Sequence, residues 1–154
     1  MLRLLNNLFD SLRPDAPPDA DRAHTLELAT AVLLIEVMRA DGKIETAERE
    51  AVFKALRSRF TLDAAELEEL FTLAHDQSEQ THDLYAFTAL LNQSLDATER
   101  VRVFEMLWTV AYADGHADAH ETHLLRKLAD LLHLRHAEAI GAKLRAEQAV
   151  RSSA

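Results

Sequence analysis

The chain has 154 residues, 48% of them hydrophobic, which suits one compact domain with a sizeable core. Three glycines, three prolines and few aromatic residues, beside abundant Ala, Leu and Glu, favour an all-helical fold. A formal charge of −9 argues against a general nucleic-acid binder, which needs a basic face to neutralise phosphates, and the lack of cysteine excludes disulfides and thiolate metal sites. Such an acidic chain suits cations or basic partners, and no apolar run approaches the roughly 18 to 20 residues of a membrane span.

Residues 1–13 place Leu2, Leu4, Leu5, Leu8, Phe9 and Leu12 on one side of a helical wheel, with polar residues on the other. Polar interruptions rule out the apolar core of a secretory signal. The stretch is predicted to be an amphipathic helix on a Pro-rich tether over residues 14–20. Its expected role is docking on this domain or self-association with a second copy. Peripheral membrane contact is the other role open to it, weakened by the presence of only two basic residues, Arg3 and Arg13.

The main domain is expected over residues 21–150. A first helix, Asp21 to Ala40, is apolar nearly all round from Ala29 to Met38 and therefore belongs in the middle of a bundle. Its carboxylate, Glu36, would be costly to bury without a partner. A second helix, about Thr46 to Arg59, carries Ala51, Val52, Ala55 and Leu56 at helical spacing. Asp63-Ala64-Ala65-Glu66 then has a capping-box pattern and opens a third helix to about Gln77. A fourth runs from about His82 to Gln93. Asp96-Ala97-Thr98-Glu99 repeats the box and starts a helix through Val103, Phe104, Leu107, Trp108 and Val110 to Ala111. The last helix, about Arg135 to Gln148, is expected to offer Ile140 and Leu144 to the bundle before a frayed tail.

Ala40-Asp41-Gly42-Lys43-Ile44-Glu45-Thr46-Ala47-Glu48 returns as Ala113-Asp114-Gly115-His116-Ala117-Asp118-Ala119-His120-Glu121, at a 73-residue offset (Asp41 to Asp114). The flanks repeat too: Leu33-Leu34-Ile35 falls opposite Met106-Leu107-Trp108, and Ala55-Leu56 opposite Leu128-Ala129. Apolar pattern and loop recur together, which points to duplication or paired constraint. Two of the three glycines follow the two aspartates, so both turns are expected to need a backbone geometry that other residues resist.

The first copy matches the second half of an EF-hand loop, in which glycine makes the turn and the last glutamate gives two oxygens to calcium. Asp41, Glu45 and Glu48, with Asp114, Asp118 and Glu121, are the candidate ligands. The first half of that loop is missing, since Val37 and Arg39, or Val110 and Tyr112, occupy its ligand positions. Any ion must then draw ligands from the other half of the bundle or from water, and Glu36 and Glu105 are candidates to supply them. Helix capping explains the terminal acids equally well, and pairing with an arginine or a hydroxyl explains Glu36 and Glu105. His116, His120 and His123 could hold zinc or nickel; solvated helix histidines are the reading preferred here. His120-Glu121-Thr122-His123 lacks the spacing of a zinc-protease motif.

With Asp83-Leu84-Tyr85-Ala86-Phe87-Thr88 and Trp108-Thr109-Val110-Ala111-Tyr112, these loops make residues 24 to 146 resemble the compact branch of the bacterial tellurite-resistance protein B (TerB) family. The resemblance implies an all-α bundle of about seven helices with two pseudo-symmetric helix-loop-helix halves and a divalent-cation site at the acidic loops, calcium ahead of zinc or magnesium. It further implies a cytoplasmic, non-enzymatic sensor or scaffold in a tellurite or stress response, with protein partners, near the inner face of the membrane. Glu45 departs from the small cap usual there, and His116 and His120 crowd the second loop, which leaves the ion open. A metal-dependent hydrolase using the acidic loops and a purely structural interaction module stand as alternatives.

Overall fold

The structure, a computed structural model, describes residues 20–40, 42, 46–80 and 83–152, with side chains in the first helix described from Thr25 onward. The helix expected over 1–13, the tether up to Asp19, and the candidate ligands Asp41 and Glu45 lie outside the described residues. Among the described residues there are seven α-helices and no strand. They are α1 (Ala20–Arg39), α2 (Thr46–Arg59), α3 (Ala64–Gln80), α4 (Tyr85–Ser94), α5 (Ala97–Ala111), α6 (Ala119–Leu131) and α7 (His136–Ser152). None of them is long and apolar enough to cross a membrane.

The all-round apolar pattern of α1 places it at the centre, packed against α2, α3, α4, α5 and α6. Apart from Thr30 and Glu36, its residues from Leu28 to Met38 are apolar and at most 2% exposed. Each buried Leu, Ile or Val there contributes about 1.5–3 kcal/mol of transfer free energy.

The duplication seen in sequence is present in three dimensions. α1 and α2 form one half and α5 and α6 the other. α1 touches both helices of the second half, and α5 both helices of the first. Equivalent positions are buried alike: Leu34 and Leu107, Val37 and Val110, Val52 and Leu125. Where one half has the small Ala55 beside the large Leu56, the other has Leu128 beside Ala129, all four buried. Volume is exchanged between neighbouring sites, as close packing requires.

Helix termini follow local chemistry. Both expected capping boxes form: the Asp63 side chain accepts from Glu66 N at 2.8 Å while Glu66 accepts from Asp63 N at 3.1 Å, and Asp96 and Glu99 do the same. α6 ends in a Schellman motif, with Leu134 N donating to Ala129 O at 3.0 Å and His133 N to Asp130 O at 3.1 Å. His133 takes the left-handed position there, with φ 58°. The third helix outlasts its expected end and reaches Gln80, the fourth begins at Tyr85, and α7 continues to Ser152, with Arg151 holding Glu147 at 2.6 Å.

The last helix corrects one expectation. Ile140 and Leu144 are 44% and 51% exposed, and α7 instead buries Ala142 and Ala146 against the bundle. Positions two apart on a helix lie about 200° apart, so seating the alanines turns the larger pair outward. The small face suits its main neighbour, α5, which presents Trp108: Lys143 Nζ sits 5.1 Å from the centre of that ring.

Candidate functional site

The two Asp-Gly turns are built by one backbone scheme. Ala40 N donates to Val37 O at 3.2 Å and Gly42 N to Arg39 O at 2.9 Å; 73 residues on, Ala113 N donates to Val110 O at 3.1 Å and Gly115 N to Tyr112 O at 2.9 Å. Gly42 and Gly115 have φ of 78° and 103°, the region that side chains resist. A methyl group at either would meet nothing within 4 Å, so conformation rather than space requires glycine. In the second turn Asp114 is exposed and its Oδ1 accepts from His116 N at 3.3 Å. Asp118 caps α6, accepting from Glu121 N at 2.8 Å, while Glu121 accepts from Asp118 N at 3.2 Å.

Burial separates this capping box from the other two. Glu66 is exposed and Glu99 partly exposed, whereas Glu121 is 2% exposed and Glu48, its equivalent in the first half, 1%. Capping does not need a buried carboxylate, and burying one costs several kcal/mol before compensation. Both halves nevertheless bury it at the same position, the third residue of the helix that follows the Asp-Gly pair.

The fold also forms two equivalent clefts, each between the end of one half's first helix and the start of the other half's second helix. One, of about 430 Å³, is lined by Glu36 and Ala40 from the α1 side, by Ser78 and Glu79 of α3, and by His120, His123 and Leu124 of α6. The other, of about 680 Å³, has Thr109 and Ala113 where the first has Glu36 and Ala40, and Ala47, Glu50 and Ala51 where the first has His120, His123 and Leu124. The C-terminal part of α7, through Ala149 and Val150, replaces α3 as its third wall.

Glu36 therefore sits in a cleft next to the first turn. The Ser78 hydroxyl donates to it, Arg39 donates to Ser78 at 2.7 Å, and Arg39 lies 3.9 Å from Glu36. Glu105 lines neither cleft; it pairs with Arg145 of α7 at 2.5 Å. The histidines His116, His120 and His123 are exposed. Position 112, equivalent to Arg39, holds Tyr112, stacked on Trp108 at 5.5 Å. Burial, and then the neighbouring Glu147 carboxylate, raise its phenol above the ordinary value of 10.0.

One constellation escaped the sequence reading. His75, Asp76 and Glu79 of α3 bring ligand atoms within 4.8 Å of one another, the only set of three or more such residues to do so among the described residues. His75 Nδ1 lies 3.7 Å from Glu79 Oε1, and the i, i+4 spacing of those two was the signal available.

The family model described as tellurite resistance protein TerB matches residues 27–144 of the chain. No curated protein and no solved structure matches the chain.

Proposed function

Because this chain belongs to the tellurite resistance protein TerB family, we propose that it is a divalent-cation-binding helical domain, calcium first, acting as a sensor or scaffold in a stress response. The observation that carries this reading is the pair of buried carboxylates, Glu48 and Glu121, at equivalent positions of the helices that follow the two Asp-Gly pairs, against the exposed Glu66 of an ordinary capping box. Calcium is bound by several carboxylate and carbonyl oxygens, and these turns gather both kinds of donor in short segments. Asp114 and Asp118 of the second turn, both more exposed than Glu121, supply further oxygens in that reading, and Asp41 and Glu45 are the ligands expected from the sequence of the first. A cation that binds only when both halves are folded stabilises the fold by mass action and couples ion concentration to the shape of the surface around the turns.

Calorimetric titration of chelator-treated protein with calcium, magnesium, zinc and manganese tests this. Calcium is expected to give saturable heat that Asp41→Ala and Asp114→Ala each weaken by about tenfold or more, and to raise the melting temperature. Absence of heat with calcium, or calcium heat unchanged in both variants, refutes the reading.

A further inference from the structure

We propose a second, chemically different metal site in the 430 Å³ cleft: a divalent transition ion of the zinc class, held by the imidazoles of His120 and His123 and the carboxylate of Glu79, with His75 as a further donor. The proposal goes beyond the calcium reading and does not depend on it.

Two independent features converge on Glu79. It lines the cleft opposite His120 and His123, and it belongs to the set whose ligand atoms with His75 and Asp76 lie within 4.8 Å of one another. His120 and His123, three residues apart, share a face of α6. Both rings are exposed, so they turn toward an ion at little cost. His75 and Glu79 are one turn apart on α3, at 3.7 Å. Glu79, His120 and His123 thus come from two separate helices, which the fold alone brings to one cleft, and His75 stands beside Glu79 on α3.

Charge and donor type set the class of ion. Arg39 contributes a positive charge to the cleft, but Glu36 stands beside it at 3.9 Å and Ser78 bonds to both. Of the two carboxylates that line the cleft, Glu79 is then the one left for an ion, and imidazoles supply the other donors. Two or three nitrogens with one oxygen suit zinc, nickel or cobalt in four-coordinate geometry and disfavour calcium, which takes oxygen alone. The equivalent cleft, with Ala47, Glu50 and Thr109 at the corresponding places, has no imidazole and serves as an internal comparison.

The test uses the full chain freed of metal by a chelator, titrated with zinc in a calorimeter and with cobalt(II) in an absorption spectrometer. The wild type is expected to bind one zinc per chain in this cleft and to give cobalt the intense visible absorption of tetrahedral coordination. His120→Ala/His123→Ala is expected to weaken zinc by about a hundredfold or more and to abolish the cobalt band. Glu79→Gln, at an exposed side chain, repeats the test through a second residue should the double variant lose helicity. Asp114→Ala and Glu50→Gln are expected to leave zinc binding unchanged. Zinc affinity retained in both cleft variants, a cobalt spectrum like that of the aqueous ion, or zinc lost only in Asp114→Ala would overturn the proposal. The calcium titration, which depends on the turns, is read separately, so either site can fail without the other.

Discussion

The two clefts share two walls by pseudo-symmetry and differ in the third wall and in chemistry. One holds Glu36, Glu79, His120 and His123; its twin is larger, mostly aliphatic, and has Thr109, Ala47 and Glu50 at the equivalent positions. The frame around them has barely diverged, with matching turn hydrogen bonds and matching buried positions. Core and turn positions are tied to many neighbours at once, so a change in one is felt by all. Cleft walls face solvent, and their side chains differ between the halves. Position 39 and its equivalent 112 show this in one pair: Arg39 reaches Ser78 in the first cleft, while Tyr112 lies on Trp108.

If the halves share one core, equivalent truncations should cost alike. Leu34→Ala and Leu107→Ala are each expected to lose about 3 kcal/mol in denaturant unfolding, since both side chains are fully buried. A silent substitution in one half would break the equivalence.

The turns come next in size. Gly42→Ala and Gly115→Ala are each expected to lose about 1–2 kcal/mol, from backbone strain alone, because no atom crowds the added methyl. Gly115, at φ 103° against 78° for Gly42, lies further from the left-handed minimum and should lose more. Equal and negligible losses would show that the turns do not hold these conformations.

The smallest effect sharpens the divergence at position 112. The raised phenol of Tyr112 means that the neutral form is favoured in the folded state, so its contribution to stability is complete below the unfolded value near 10.0 and is lost as pH rises through the folded value. Glu147→Gln removes the second cause and should lower the Tyr112 titration midpoint, followed by NMR of the ring, while the effect of burial remains. A midpoint unmoved by this change would show that Glu147 does not act on the phenol.

What the residues disclosed by themselves was local. Helix type, the capping boxes at Asp63 and Asp96, the central place of α1 and the need for glycine at 42 and 115 depend on contacts within about one turn of the chain, and short-range spacing records those. The duplication was legible because loop and apolar pattern repeat at one offset. Sequence spacing misplaced Ile140 and Leu144, because the face α7 buries is set by its packing on α5, another helix, where Ala142 and Ala146 are the buried pair. It also separated Glu36 from the histidines, and passed over His75 and Glu79. Those residues lie on α1, α3 and α6, up to 87 positions apart (Glu36 to His123). Only the crossing of the two halves, driven by burial of their apolar faces, brings Glu36, Glu79, His120 and His123 to one cleft.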